Sequence, residues 1–285
     1  KLFALKAGLE AQPALLPQCD YILLTDADIL HPPENARRLV AQAESTQSAL
    51  VSLMALLDCR GFWGRLLIPP FVFFFQKLYP FRWVNDPEEA HAGAAGGCVL
   101  VRRNVLRSIG DMEGIRDALI DDCALAAAVK GNPPKRRIWL GLSQDVKSLR
   151  DNRAFGSIWT MVARTAFTQL RHSTGMLFLS IVGMILTYLA GPVVFVAGLS
   201  AGSVALIAIG ITAWSLSALA YLPTLRLFGQ NPLWAFTLPL AALLYSAMTV
   251  GSAVNHWRGH GGAWKGRSYS DLTKPSDASA PPKPS

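Results

Sequence analysis

Two aspartates directly follow a short apolar segment near the start of the chain. Asp26 and Asp28 come after "YILL", residues 21–24, with Thr25 between, and Pro32 and Pro33 then end any regular structure. Such a segment is typical of a buried strand, and ligands of an open α/β sheet bind at the carboxyl ends of its strands. Paired carboxylates are the hard oxygen ligands that Mg²⁺ or Mn²⁺ prefers. They therefore predict a metal site; the alternative is a polar turn in which Asp28 caps the following segment.

A second acidic pair, Asp121 and Asp122, opens the segment "IDDCALAAAVK", which predicts a helix. A carboxylate here is able to take the proton from an attacking hydroxyl, as a general base must. Acidic residues at a helix N-terminus also complement the helix dipole. The residues alone leave both interpretations open.

Three glycines, Gly93, Gly96 and Gly97, precede the apolar part of "HAGAAGGCVLVRR". A glycine has no Cβ, so the backbone there is able to approach a ligand closely. The alternative is a flexible turn before a buried strand. His91, in the same segment, is interpreted as an ordinary loop histidine.

The elements that must position these residues alternate between short strands and helices. "PENARRLVAQAES" predicts a helix, and "GGCVLVRRNVLRSIG" predicts a strand followed by a helix that ends at Gly110. "ALVSLMALL" is a strand or a buried helical turn, because its periodicity does not distinguish the two. Leu2, Leu5 and Leu9 are spaced for one helix face. The alternation predicts an α/β domain with a mainly parallel sheet.

The composition is apolar and basic for an enzyme. The chain has 285 residues, of which 51% are hydrophobic, and 27 Lys and Arg against 19 Asp and Glu give a net charge of +8. Such a balance indicates a membrane surface or an anionic substrate, or a positive charge bias beside membrane segments. We expect no nucleic-acid partner. The four cysteines form no CxxC pair or zinc pattern, which predicts reduced, unpaired thiols.

An uncharged segment divides the chain. Residues 173–225 contain no Asp, Glu, Lys, Arg or His, which makes 53 residues in a row, whereas one membrane helix needs about 20. We predict membrane helices at about 176–198, 203–222 and 233–254, with a turn between Gly198 and Gly202. The lack of charge argues against a transporter that uses intramembrane polar residues.

Two further segments bear on the membrane. "LLIPPFVFFFQKLYPF", ending at residue 81, is aromatic but interrupted by prolines, and it is too short to span. It either lies in the membrane interface or is buried in the globular domain. Residues 256–285 form a basic segment, which belongs at the interface or closes over a nucleotide, and a tail with a disordered composition. Three full crossings would separate this basic segment from the first domain, against the positive-inside tendency. We therefore expect that one segment does not cross completely.

The order of "KLFALKAGLEA", "YILLTDADI", "AGAAGGCVLVRRNVLRSIG" and "LIDDCALA" resembles a family 2 glycosyltransferase with the GT-A fold. The resemblance is closest to the hopene-associated glycosyltransferases, which are related to the ceramide glucosyltransferase type. It covers about residues 1–172, with a weaker part at 261–269. It implies a partial GT-A domain at 1–172, membrane helices within 173–255, and an upstream nucleotide-binding part that precedes the given sequence.

The resemblance also implies roles for the acidic residues and the glycines. Asp26 and Asp28 would hold the divalent metal and the diphosphate of the sugar donor. Asp122 would be the general base, with Asp121 as its acidic neighbour. Gly96, with Gly97 beside it, would contact the donor sugar or the acceptor.

The third motif of the family departs from its usual form in "TQLRH", residues 168–172. Arg171 matches the family arginine and would clamp the diphosphate, or it is a charge that flanks a membrane helix. Thr168 and His172 do not match, and His172 replaces a tryptophan that helps to hold a growing polymer. The departure favours the transfer of a single sugar.

The resemblance therefore implies an inverting, metal-dependent transfer from a nucleotide-sugar, expected to be a UDP-sugar, to a lipid hydroxyl. The lipid would be a hopanoid or another isoprenoid, or a sphingolipid-like acceptor. The protein would be a multi-pass protein of the cell membrane with its catalytic domain on the cytoplasmic side. The alternatives are a processive polysaccharide synthase and an inactive membrane scaffold; the intact aspartates argue against the scaffold.

Overall fold

A computed structural model of the chain describes residues 2–15, 18–111, 120–132 and 136–259. Helix α1 (Leu2–Leu15) comes first, and Leu9 on it is buried in the core. The segment 261–269 and the predicted disordered tail lie outside the described residues. All four cysteines are free thiols, as expected.

One mixed sheet forms the centre of the first domain. Its strands are β1 (Tyr21–Thr25), β2 (Ile29–Leu30), β3 (Ser48–Leu56), β4 (Cys98–Arg102) and β5 (Arg137–Ser148), in the spatial order β1-β4-β3-β5-β2. Within the described residues only β3 and β5 pair in parallel, and the other three pairings are antiparallel. The predicted mainly parallel sheet is therefore wrong. Short, fully buried strands have the same apolar composition in either direction, so the sequence carried no signal for the reversal of β4.

The register brings the ends of several strands to the same end of the sheet. Thr25, the last residue of β1, lies opposite Cys98, the first residue of β4. Strand β5 has a register irregularity, and its end pairs Ser148 with Ile29 of β2. The residues between β1 and β2, which include both aspartates of the first pair, therefore lie at this end of the sheet, between the end of β1 and the end of β5.

Helices cover both faces of the sheet. Helix α2 (Asn35–Ser45) packs Leu39 and Ala43 on the face that carries Val51. Helices α4 (Phe81–Asn85), α5 (Arg103–Ser108) and α6 (Asp121–Gly131) complete this part of the fold. Leu106 and Leu125, on α5 and α6, belong to the larger core cluster on the other face. The ambiguous "ALVSLMALL" segment forms strand β3. Its periodicity was uninformative because β3 is buried on both faces of the sheet.

Helix α3 (Gly61–Leu78) runs without a break through Pro69 and Pro70. The predicted interruption by prolines is wrong, although proline removes a helical hydrogen bond. Leu67 and its neighbours are fully buried, and the Tyr245 hydroxyl donates a hydrogen bond of 2.8 Å to the Leu67 carbonyl beside the prolines. The prolines free the carbonyls of residues 65 and 66, so the bond to the Leu67 carbonyl does not replace a lost one, and the burial of the apolar side chains offsets the loss. The first half of the segment is buried in the protein, and Phe73 packs on Tyr188 and Tyr221 of the apolar helices.

The second half of the chain is helical. Helices α7 (Phe155–Ala163) and α8 (Ala166–Gln169) lead to a continuous helical stretch made of α9 (Thr174–Met184), a π-helical turn (Ile185–Leu189) and α10 (Ala190–Ala201). Helix α11 (Val204–Leu227), a 3₁₀ helix (Pro232–Thr237) and α12 (Leu238–Trp257) follow. In the described residues, three stretches are long and apolar enough to cross a membrane: Thr174–Ala201, Val204–Leu227 and Pro232–Trp257.

The first two of these stretches form a hairpin. Gly202, in the left-handed conformation, makes the predicted turn between them. Glycines allow the two helices to approach closely: a Cβ on Gly198 would lie 2.6 Å from the Ile207 nitrogen, and one on Gly191 would lie 2.8 Å from the Trp214 nitrogen. Small residues serve helix contacts in this way in membranes. Helix α12 instead shares the core of the first domain, in which Ala241, Tyr245 and Met248 are buried.

Candidate active site

The first acidic pair lies in a tight turn between β1 and β2. The Ile29 N–H donates to the Asp26 carbonyl at 3.3 Å, and the Leu149 N–H donates to the Asp28 carbonyl at 2.7 Å. The Asp26 side chain is half-buried, whereas Asp28 is exposed. The structure thus places both residues at the carboxyl end of β1, where the sequence predicted them.

A histidine that the sequence analysis passed over stabilises this turn. The Asn35 amide nitrogen lies 2.9 Å from His31 Nδ1, and His31 Nε2 lies 2.7 Å from the Thr25 hydroxyl, which is 3.0 Å from the Gly97 carbonyl. The amide nitrogen is a donor only, so Nδ1 accepts and Nε2 carries the proton. Thr25 then accepts from His31 and donates to Gly97. All three bonds are satisfied by one neutral tautomer.

The second acidic pair reaches the same loop from helix α6. The Gly96 N–H donates to Asp122 Oδ2 at 2.6 Å, and the Cys123 N–H donates to Asp122 Oδ1 at 2.8 Å. The adjacent Gly97 carbonyl accepts from the Asp26 N–H at 3.4 Å. The two glycines therefore connect the two acidic sites, which are far apart in sequence.

The predicted space for a ligand beside two of the glycines is occupied by protein. A Cβ on Gly97 would lie 3.0 Å from Cδ1 of Ile29, and a Cβ on Gly93 would overlap the ring of Tyr79. The absence of a side chain at these two positions therefore allows packing within the protein. Gly96 contributes through its N–H, which orients Asp122.

A half-buried arginine that the sequence analysis missed lies within the electrostatic influence of Asp26, Asp121 and Asp122. Burial lowers the pKa of Arg164, nearby Arg150 lowers it further, and the charges of Asp121, Asp122 and Asp26 oppose this shift. Arg164 follows α7 and is the only charged residue in the segment 155–170. A single charge in an otherwise uncharged segment was the signal that could have identified it.

The arginine that the sequence analysis selected lies elsewhere. Arg171 is exposed on the turn between α8 and α9, where it has a positive φ of 51°. Its backbone N–H donates to the Thr168 carbonyl at 2.9 Å. Of these two arginines, the structure brings Arg164 into the electrostatic environment of the acids.

A tyrosine connects the acidic cluster, which consists of Asp26, Asp121 and Asp122, to the start of the apolar helices. The Tyr79 hydroxyl donates to Gln169 Oε1 at 2.5 Å, and burial together with the nearby Cys123 and Asp122 raises the Tyr79 pKa. Burial and the Asp122 charge raise the pKa of the Cys123 thiol to about 12, so this thiol is protonated at neutral pH. Gln169 ends α8, four residues before Ser173, where the uncharged segment begins.

The turn that holds Asp26 and Asp28 would offer two hard oxygen ligands to a divalent cation. Among the described residues, no group of three or more His, Cys, Asp or Glu side chains is arranged to hold a metal ion. Asp26 and Asp28 would thus supply two carboxylates, and the other positions would be left to water and substrate phosphate. Mg²⁺ is commonly bound in this way, through one or two carboxylates and phosphate oxygens.

Comparisons with known proteins identify the class of enzyme. A sequence model of the family described as "Glycosyl transferase family 21" matches residues 13–273. A comparison with curated protein sequences gives no match. The expectation of a glycosyltransferase is confirmed, and the family shown is family 21, whereas the resemblance pointed to family 2.

Proposed function

The chain belongs to glycosyl transferase family 21, and we propose that it transfers one sugar from a nucleotide-sugar to the hydroxyl of a membrane lipid. The observation that carries the proposal is the contact between Tyr79 and Gln169. Through it, the acidic cluster lies within a few residues of Ser173, where the apolar helices begin. An acceptor anchored in a membrane would therefore reach the acids without leaving the lipid surface.

The donor side of the proposed site is the turn that holds Asp26 and Asp28. Their carboxylates would hold Mg²⁺ or Mn²⁺ together with the diphosphate of a UDP-sugar. A bound divalent ion would neutralise the charge that develops on the departing diphosphate. Arg164 lies within the electrostatic influence of Asp26, and its guanidinium would contact phosphate oxygens with charge-assisted hydrogen bonds. Arg171 would contact the nucleotide only if the turn before α9 moves toward the acids.

The acceptor side of the proposed site is Asp122. The Gly96 and Cys123 amides fix the orientation of its carboxylate, and a carboxylate oxygen is able to accept more than one hydrogen bond. Asp122 would take the proton of the lipid hydroxyl as the hydroxyl oxygen attacks the anomeric carbon. Direct attack with departure of the nucleotide inverts the configuration at that carbon. Asp121 would contribute negative charge beside the base.

We also propose the finer features that the resemblance implied. They are a GT-A arrangement of the first domain, a relation to the hopene-associated and ceramide glucosyltransferase types, and a catalytic domain on the cytoplasmic side of the cell membrane. A mixed sheet with helices on both faces is compatible with a GT-A arrangement. The acceptor would be a hopanoid or another isoprenoid, or a sphingolipid-like molecule. The absence of tryptophan after Arg171 favours single transfer over a polysaccharide synthase.

The test is a product analysis with the full chain in membranes. Membranes that contain the protein receive labelled UDP-sugar and Mn²⁺, and the lipid extract is separated by chromatography. We expect a single labelled glycolipid, its loss after chelation of divalent metal, and a rate lower by about 10²-fold or more with the Asp122→Asn variant. A ladder of growing chains would show a polysaccharide synthase. Transfer to a water-soluble acceptor in the absence of lipid would contradict the lipid acceptor.

A further inference from the structure

The three apolar stretches do not all cross the bilayer. We infer that the first two cross it as a hairpin, and that α12 begins and ends on the side of the catalytic residues. The inference rests on the membrane attachment proposed above, and it does not depend on the identity of the sugar or the lipid.

The first observation is a contact between the two ends of the apolar region. The rings of His172 and His256 are stacked, with centroids 4.2 Å apart and planes inclined by 10°. Phe167, just before His172 in the chain, contacts the rings of both His256 and Trp257. All three apolar stretches lie between His172 and Trp257. Three complete crossings would separate these residues by a hydrocarbon layer of about 30 Å, so the number of crossings between them is even.

The second observation is the position of the loop between the second and third stretches. The Gln230 amide nitrogen lies 3.3 Å from Cys59 Sγ, and the Gln144 amide donates to the Leu227 carbonyl at 2.9 Å. Cys59 follows β3, and Gln144 lies in β5. The chain therefore returns to the sheet at the end of α11. The hairpin formed by the first two stretches goes out and comes back, and α12 starts on the side of the domain.

The third observation is that the middle and the end of α12 pack on the first domain. In its middle, the Tyr245 hydroxyl bonds to α3; near its end, the Ser252 hydroxyl accepts the Phe167 N–H at 3.1 Å. The first turn of α12 packs on the hairpin instead, where Leu238 shares a buried cluster with Tyr221. A helix that crosses a bilayer away from the domain would not contact the domain at both its middle and its end.

The exposed face of α12 is apolar. Large exposed side chains on it recur at helical spacing on one side: Leu240, Leu243, Val250 and Trp257. A helix with one face on a protein and an apolar opposite face suits a position at the boundary of the membrane and the domain. Arg258, directly after Trp257, then lies on the side of the catalytic residues, which agrees with the positive-inside tendency. The expected incomplete crossing is thus assigned to the third stretch.

Cross-linking in native membranes tests the two contacts. The Gln230→Cys variant should be joined to native Cys59 by a short bifunctional thiol reagent, and the product should disappear when Cys59 is also replaced by serine. The pair His172→Cys and His256→Cys should be linked in the same way. The matched control pair, Ser203→Cys with His256→Cys, should not be linked, because Ser203 lies at the far turn. Linkage of the control pair, or none in the first two variants, would overturn the inference.

Labelling in sealed vesicles of known orientation tests the sides directly. Single cysteines replace Ser203, Asn231 or Arg258 in a variant whose native cysteines are alanine, and Arg37→Cys on exposed α2 marks the domain. A membrane-impermeant maleimide should modify positions 231 and 258 from the side that modifies position 37, and position 203 from the other side. Modification of position 258 together with position 203, or of all positions from one side, would refute the two-crossing hairpin.

Sugar transfer is measured in the same membranes with the native chain. Transfer with the wrong labelling pattern would refute only the hairpin. The expected labelling pattern without transfer would refute only the proposed function.

Discussion

The amide nitrogen of Gly96 lies 2.6 Å from Oδ2 of Asp122. This hydrogen bond joins the loop before β4 to the first turn of α6. The neighbouring Gly97 carbonyl bonds to the turn that holds Asp26. The glycine pair thus sets the distance between the proposed base and the proposed metal site, so a change on one side is expected to affect the geometry of the other.

The Asp122→Asn variant tests the base. The carbonyl oxygen of the new side-chain amide keeps an acceptor for the Gly96 N–H, whereas its NH₂ group cannot accept from the Cys123 N–H. The loss of this one local bond should leave the fold and donor binding preserved. Turnover should fall by about 10²-fold or more, the usual scale for a lost general base. The measurement is kcat and the donor KM in membranes. Asp121→Asn is the control and should have a smaller effect; the reverse order would assign the base to Asp121.

Replacement of Asp26 or Asp28 by alanine tests the metal site. Each variant should lose metal-dependent transfer, because the second carboxylate alone holds the cation and diphosphate poorly. Activity is titrated with Mn²⁺ and Mg²⁺, and Mn²⁺ binding is followed separately by electron paramagnetic resonance. The control is Asp145→Ala, which removes an exposed aspartate paired with Arg38 at 2.9 Å on the same sheet. Unchanged Mn²⁺ binding in both turn variants would rule out the metal role.

A comparison of two arginines tests the diphosphate contact. Arg164→Gln should reduce kcat/KM by about 10- to 100-fold, the range that corresponds to the loss of a hydrogen bond to a charged group. Arg171→Gln, at an exposed position, should reduce it less. Arg164→Lys keeps the charge but loses the planar fork and should be intermediate. Thermal unfolding of each variant separates lost catalysis from lost stability, and a larger effect at Arg171 would assign the clamp to that residue.

Tyr79→Phe removes a hydroxyl and leaves the ring that packs on Gly93. The Gln169 side chain loses its partner, which should cost about 1 kcal/mol of folding free energy. If the contact aligns the acids with the membrane helix, the KM for the lipid acceptor should rise while the donor KM stays constant. The matched control is Tyr21→Phe, whose hydroxyl bonds to exposed Glu44 at 2.6 Å, away from the acids. Equal effects of both variants on the acceptor KM would show that Tyr79 has no special role.

The histidine stack predicts a dependence of stability on pH. Burial and the charge of His256 lower the pKa of His172 below its ordinary value of 6.5. A group with a lowered pKa binds fewer protons in the folded than in the unfolded state. Its contribution to stability is therefore complete above about pH 6.5 and is lost as the pH falls through the folded-state pKa.

The groups that face His172 are the His256 ring, the Phe167 ring and the Thr168 hydroxyl. Melting temperatures are compared between pH 8 and pH 5 for the native chain and for His172→Gln. The native chain should lose more stability on acidification than the variant. Identical pH profiles would show that the stack contributes nothing.

The positions of the elements were determined by the sequence itself. Apolar runs and helical spacing depend on neighbours a few residues apart, so they located β1, α2, α6 and the apolar helices, and they placed Asp26 and Asp28 at the end of a strand. The uncharged residues 173–225 were recognisable as membrane-type helices because no other environment accepts such a composition. The proposed metal and base residues were found from the sequence for the same reason: each stands beside a local structural signal.

The tertiary structure alone decided how these elements meet. The direction of β4, the continuity of α3 through Pro69 and Pro70, and the return of α12 to the domain depend on contacts between residues far apart in the chain. The approach of Arg164 to the acids has the same origin, as does the filling of the space at Gly93 by Tyr79. A local pattern determines that a residue is buried or helical, but packing across the chain determines which residue it touches.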